Sequence, residues 1–339
     1  MTKADSRSER IPVIHIGMPK TATKTLQWRL FSAHSEVFYL GRFDGFYFQG
    51  KYRQYDACRD ASVQALMQQI AYGNVSNLDY AECRKVYARI VAPALAENLL
   101  PVWSWESYST DILAKRRRRA LNLKEVIGEA RIIMVLRRPV ALLESAYFQQ
   151  LKRDNVGARG KFGHPPYYQT INDWLRDNFN GEILPHLEYA QTIQAYVDLF
   201  GAENVHVFLF EDLQADPDVF FGQICAAMGI GAEEGIRLVK GHTDNTRWTT
   251  RQIAALERIA ASKVKSLMFR FAPRSVRRDL LGVDPDGAPL EKGEKARGQI
   301  SPEWQRRIYE TTWQGNLWLQ EVYGLPLEKY GYFGNQEQA

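Results

Sequence analysis

The sequence predicts an α/β fold of three layers, a central parallel sheet flanked by helices, and three observations carry that expectation. Short aliphatic and aromatic runs recur along the chain, separated by segments with helical periodicity. One run, Arg131–Leu136, is continuously apolar after its first residue, as in a parallel strand covered on both faces. The earliest run, Pro12–Gly17, passes through a glycine turn straight into a helical pattern, which is the element order of a phosphate-binding βα unit.

In chain order, the strand at 12–17 is followed by Leu26, Leu30 and Phe31 on one helical stripe, and Val37–Leu40 reads as a second short strand. Residues 41–100 are aromatic-rich, with helical stretches near 61–72 and 79–99. Leu100–Trp105 reads as a strand ending at Glu106, and a basic helical segment separates it from the strand 131–136. Pro139 then suits the first position of a helix that carries Leu143, Tyr147 and Leu151 along one stripe. Helical patterns return at 170–178 and 185–200, Val205–Phe210 is a further strand, and Asp218–Met228 is a helix stopped by Gly229. Beyond 250 the chain reads as helical, apart from a Gly/Pro/Asp-rich stretch at 282–298 expected to be a mobile loop. With no repeat and no compositional boundary, one domain over 11–335 is expected, behind a flexible polar tail at 1–10.

The composition, 45% hydrophobic and 24% charged, is that of an ordinary globular protein. Cys58, Cys83 and Cys225 are too few and too far apart for a disulfide framework or a zinc site, which fits a reducing compartment. No signal peptide and no long apolar stretch is visible, so a cytoplasmic protein without stable membrane insertion is expected. The net charge of +5 favours anionic ligands, and no nucleic-acid signature accompanies it.

The glycine turn offers oxyanions its backbone N–H groups, with Lys20, Thr21, Thr23, Lys24 and Thr25 adding a cation and hydroxyls at the same place. It is P-loop-like without matching G-x-x-x-x-G-K-[ST]: Gly17 lies seven residues before Lys24, not six, and Thr23 stands where the second glycine belongs. No strand end supplies the aspartate that holds Mg²⁺ in ATP and GTP enzymes, and the strand 131–136 runs instead into Arg137 and Arg138. Cations in place of a metal carboxylate suit a phosphosulfate donor, with no metal expected.

At these residues the chain resembles the sulfotransferases that use 3′-phosphoadenosine 5′-phosphosulfate (PAPS), most of all the bacterial branch related to carbohydrate sulfotransferases. The family's Pro-Lys-[TS]-Gly-Thr-[TS] loop reads here Pro19-Lys20-Thr21-Ala22-Thr23-Lys24. A second family motif, an arginine with a proline two residues on and a serine eight residues on, is matched by Arg137, Pro139 and Ser145. Weaker likeness continues through Phe200–Val205, Phe210–Leu213 and Asp216-Pro217 to Tyr323–Pro326 and Tyr330–Tyr332. Two positions depart from the pattern: Ala22 replaces the usual glycine, so a positive φ there would be costly, and Lys24 replaces a small hydroxyl residue.

The resemblance implies PAPS as donor and PAP as product, the 5′-phosphosulfate held by residues 20–25 and the 3′-phosphate by Arg137 and Ser145. It implies that Lys20 meets the bridging oxygen as charge builds on it. The acceptor's base would be a histidine or a glutamate near the end of a central strand. No histidine lies between 101 and 110, and Glu106 shares a strand face with Val102 and Ser104, so Glu106 is the expected base, with His164 or His242 next. His15 and His206 lie inside strands and read as core residues. Asn245–Trp248 falls where the family carries a loop over the nucleotide: Arg247 is a candidate clamp for the 3′-phosphate and Trp248 for stacking near the adenine. The run Lys115–Arg119 reads as a solvated helix face.

The acceptor is expected to be a glycan or small molecule bearing a hydroxyl or amine, met by variable loops within 41–100, 152–170 and 282–298. Aromatic residues such as Trp103, Trp105, Tyr167, Tyr168 and Trp174 would suit stacking on a sugar, and equally suit a large core. Two other readings stay open: a metal-dependent P-loop kinase, and a nucleotide- or glycan-binding module without turnover.

Overall fold

The computed structural model describes residues 10–41, 46–48, 51–53, 60–157, 162–241 and 247–334. The chain divides into two compact units, the first built from Met1–Gly45, Gln54–Leu136 and Tyr189–His242, the second from Phe46–Arg53, Arg137–Glu188 and Thr243–Ala339.

The first unit holds five parallel strands, here β1 (Val13–His15), β2 (Val37–Gly41), β3 (Leu100–Ser104), β4 (Arg131–Leu136) and β5 (Val205–Leu209), in the order β2-β3-β1-β4-β5. Residues of β1, β3 and β4 are buried almost throughout, as the unbroken apolar runs require of a sheet covered on both faces. β1 pairs with β3 through His15 opposite Ser104, and with β4 through His15 opposite Ile133. The chain leaves β1 toward the edge strand β2 and leaves β4 toward the opposite edge strand β5, so the crevice beyond the C-terminal end of β1 is the topological switch point of the sheet.

Helices flank this sheet. The run after β1 begins at Thr23–Thr25 and widens into π-type turns over Leu26–Phe31, burying Leu26, Leu30 and Phe31 as the stripe predicted. It packs on β2 and against the helix Ala232–Val239. Another group, Ala61–Tyr72, Tyr80–Ala96, Leu113–Ile127 and Tyr189–Phe200, packs together, with the last resting on β4 and β5. Sequence signals set their ends: Asp60 and Asp79 cap through their side chains, and Asp216 opens Pro217–Met228, which Gly229 closes in the left-handed region.

The second unit is helical, from Pro139–Asn155 through Ile171–Asn178 and Thr250–Ala261 to Pro302–Tyr323. Pro139 sits in the first turn of its helix as expected. An antiparallel hairpin, Phe46–Phe48 with Lys51–Arg53, belongs to it and was not foreseen. Within 282–298 the backbone bridges Val283 to Pro289, Lys295 pairs with Thr249, and Asp284 Oδ1 accepts from the N–H groups of Asp286 and Ala288 at 2.9 and 2.8 Å. The helix expected at 185–200 is two: Glu188, at φ −81° and ψ 57°, leaves helical geometry between Leu184–Leu187 and Tyr189–Phe200.

The basic run corrects one expectation. Arg116 and Arg119 are buried, not solvated: Arg116 donates to Thr192 Oγ1, and Arg119 pairs with Asp111 at 3.2 Å and donates to three backbone carbonyls. Their helix packs against three others, so its buried arginines turn inward where those carbonyls wait. Cys83 and Cys225 are buried free thiols, and Cys58 lies outside the described residues. Among the described residues no helix is long and apolar enough to cross a membrane.

Candidate functional site

The turn after β1 is built around one carbonyl. Thr21 Oγ1 and Thr23 Oγ1 both donate to Met18 O, at 2.6 and 3.1 Å, which curls the chain and aims the hydroxyl protons inward. What the loop then offers an oxyanion is its backbone N–H groups. The curl requires positive φ at Gly17 (39°), Lys20 (70°) and Ala22 (63°). Gly17 has no room for a side chain, because a Cβ there would stand 2.9 Å from the ring of His15. Ala22 does carry a Cβ in the left-handed region, so the strain that the missing glycine implied is present. Ala22→Gly should therefore stabilise the protein by about 0.5–1 kcal/mol after its larger unfolded-state entropy is counted. Thermal melting should show a small upward shift, and a downward one would contradict this account. Lys24 is exposed and lies over the Trp28 ring, 5.2 Å from its centre, one turn along the helix.

Beneath the loop lies a buried polar network. Gln27 Nε2 donates to Ser104 Oγ at 2.9 Å, and Ser104 Oγ lies 2.7 Å from His15 Nδ1. His15 Nε2 is buried without a partner, and burial pushes the ring's pKa down to about 3. The expectation of a core histidine holds. Its pKa falls on folding, so the unfolded chain takes up the proton first, and stability is lost as pH drops below about 6.5 toward 3. Between pH 7 and pH 5 this group alone should cost about 2 kcal/mol. The difference in unfolding free energy between the two pH values, from urea titration, should shrink by that amount in His15→Asn relative to the unsubstituted protein.

Glu106 is tied to this loop by the segment that carries it. β3 ends at Ser104, and Trp105 N–H donates to His15 O at 3.1 Å. Glu106 then opens a 3₁₀ turn, Glu106–Tyr108, after which Ser109 Oγ donates to Gly17 O in a short contact. Arg119 holds the turn from the far side, donating to Ser107 O at 2.6 Å and Thr110 O at 3.2 Å, while its guanidinium lies 5.4 Å from the centre of the Trp105 ring. The turn therefore stands beside the loop that carries Lys20, with the partly exposed Glu106 at its head. Trp103 and Trp105 are buried and serve the core.

In the second unit, Arg137 precedes the helix Pro139–Asn155 by two residues, and Ser145 is buried on that helix. Glu144, beside Ser145, accepts from Gly298 N–H at 2.9 Å and pairs with Arg247 Nη1 at 3.1 Å. Arg247 also lies over the Phe148 ring, 5.3 Å from its centre. Trp248 corrects an expectation: it is fully buried, with its indole donating to Gly287 O at 2.9 Å, so it is a core residue with no open face for a base. Trp174 is buried too, bonded to Gln150 Oε1 at 2.8 Å. A cavity of about 400 Å³ lies between Phe148, Tyr168, Glu257 and Arg297. His164 is exposed, and His242, Asn245 and Thr246 lie outside the described residues. Among the described residues no group of three His, Cys, Asp or Glu could hold a metal ion.

Sequence reasoning did not find the Arg119 clamp, the Ser109 bond or the His15–Ser104–Gln27 network. The pairing of β1 with β3 brings the network and the Ser109 bond together, and the packing of Leu113–Ile127 on the turn brings Arg119 to it.

Residues 12–234 match the model of the sulfotransferase family. No curated protein sequence matches at a significant level. Among solved structures, a sulfotransferase from Alicyclobacillus acidocaldarius is similar at 18% identity and a TM-score of 0.43, over 81% of this chain and 97% of that one. A sulfotransferase domain from the olefin synthase of Synechococcus PCC 7002 is similar at 15% identity and 0.40, over 96% and 98%. A mouse sulfotransferase complexed with PAP is similar at 10% identity and 0.41, over 94% and 90%.

Proposed function

The chain belongs to the sulfotransferase family, and on that premise we propose that it moves the sulfonate group of PAPS to a hydroxyl or amine of a carbohydrate or small metabolite, in the cytoplasm, releasing PAP. In the step, the bond from sulfur to the bridging phosphate oxygen breaks and a bond from sulfur to the acceptor atom forms. The bridging oxygen keeps the electron pair and leaves with PAP, and Lys20 meets the charge that collects on it. The acceptor proton passes to Glu106. Loop amides from Lys20 to Thr25 hold the 5′-phosphosulfate in line, Lys24 adding positive charge at the rim. Arg137 and Ser145 take the 3′-phosphate, with Arg247 as a further cation for it.

The observation that supports this reading most is the pair of hydrogen bonds from Trp105 and Ser109 to His15 and Gly17, which keep Glu106 beside the Lys20 loop. A donor cradle and a carboxylate are what a direct transfer needs. Thermal shift with PAP, ADP and Mg·ATP tests the donor, and labelled PAPS with a panel of glycans, lipids, phenols and amines tests the transfer. PAP should stabilise the protein most. Stabilisation by Mg·ATP without PAP would overturn the reading in favour of a kinase, and PAP binding without turnover on any acceptor would favour a binding module.

A further inference from the structure

The helix Lys263–Phe271 turns an apolar face outward. Val264, Leu267, Met268 and Phe271 fall at i, i+3, i+4 and i+7, a single stripe at 3.6 residues per turn, and all four are 50–69% exposed. The opposite face is the anchored one. Phe269 is buried there, with the guanidinium of the buried Arg277 lying 4.9 Å from its ring centre. Arg277 Nη2 also donates to Arg270 O at 2.8 Å and Nε to Ala272 O at 3.2 Å, which fixes the following helix, Arg274–Leu281, against this one. That helix adds exposed Val276 and Leu280, and Phe162 adds a ring 5.7 Å from Phe271. An exposed apolar stripe on a firmly held helix pair is a surface awaiting a partner, since scattered apolar residues do not line up in this way.

The charges beside it select the partner. With successive residues 100° apart, Lys265 lies on one side of the stripe and Lys263 and Arg270 on the other, so cations flank it along its length. Arg274 and Arg278 continue them on the next helix. Among the described residues none of these five pairs with a carboxylate, and the one acidic residue between 262 and 281 is Asp279. A protein interface would commonly set both signs of charge around its apolar centre. Apolar side chains facing out between unneutralised lysines and arginines, whose stems reach up to a headgroup layer, match an anionic bilayer surface.

We propose that the helices Lys263–Phe271 and Arg274–Leu281 form a docking face that places this protein on anionic lipid bilayers, lying in the headgroup region without crossing. Flotation of the full chain with phosphatidylcholine vesicles, with and without phosphatidylglycerol, tests it. Binding should require the anionic lipid and weaken with added salt. Leu267→Ser with Met268→Ser should lower the bound fraction by about tenfold or more, and Lys265→Glu with Arg274→Glu comparably. These side chains are exposed, so melting temperature and PAP binding should not change. Failure of the unsubstituted protein to float with anionic vesicles overturns the proposal. So does equal binding to phosphatidylcholine alone, or unaltered binding by the Leu267/Met268 variant. A dimer that this variant dissociates, in a protein that ignores vesicles, would instead assign the face to a second copy of the chain.

Discussion

Lys20→Ala should abolish sulfonate transfer while leaving PAP binding within a few-fold of the unsubstituted protein. The two readouts separate because the lysine's proposed partner, the bridging oxygen, becomes strongly anionic only as the sulfur–oxygen bond breaks. Loss of one preorganised donor of that kind typically costs 10²–10³ in kcat, about 3–4 kcal/mol. PAP lacks the sulfonate and keeps its loop amide contacts, so its affinity has much less to lose. The substitution is a clean probe of chemistry for a conformational reason as well. Lys20 already sits at φ 70° with a Cβ, so alanine meets the same backbone cost and the loop keeps its curl. Lys20→Arg should recover little, because a planar fork on a longer stem does not replace a compact ammonium in a turn this tight. Single-turnover transfer from labelled PAPS, beside PAP titration, gives both numbers. Near-normal turnover in Lys20→Ala would remove the lysine from the mechanism.

Much of this arrangement was legible before the structure. The strand, glycine turn and helix at 12–31 could be read because apolar runs and a turn residue report local backbone directly, and so could all five strands of the sheet. The nearness of the loop that carries Lys20 to the turn that Glu106 opens was not a local property. It follows from β1 and β3 pairing in parallel with His15 opposite Ser104, which brings both C-terminal ends to one edge. Sequence carries charge without its partner, which is why Lys115–Arg119 read as a solvated face although Arg116 and Arg119 find carbonyls and hydroxyls inside. Trp248 failed for the same reason, since an indole in a polar stretch gives no sign of the Gly287 carbonyl that holds it in the core. The break at Glu188 lies within an otherwise unbroken helical pattern, and only the dihedral angles disclose it.

Arg119→Ala should be strongly destabilising, and Arg119→Lys the more instructive change. Arg119 is buried, and its guanidinium serves Ala71 O, Ser107 O, Thr110 O and the Asp111 carboxylate at once. Alanine strips Ser107 O and Thr110 O of this donor, while Ala71 O keeps Arg118 and the Asp111 carboxylate keeps Lys115 and the Ile112 N–H, a loss of about 2–4 kcal/mol that is large against the whole stability of a protein. A markedly lowered melting temperature, or failure to fold, is expected. Lysine keeps the charge for Asp111 but presents a single nitrogen, so it cannot reach all the carbonyls that the fork spans. The fold should survive with a smaller loss, and the carbonyls released are those of Ser107 and Thr110, on and after the turn that Glu106 opens. If that turn positions a base, kcat in Arg119→Lys should fall by about tenfold or more while PAP affinity stays unchanged, because a base misplaced by an ångström slows proton transfer without touching the donor cradle. A variant that melts earlier yet turns over normally would make Arg119 a stabilising residue only, and would leave Glu106 without the support its proposed role requires.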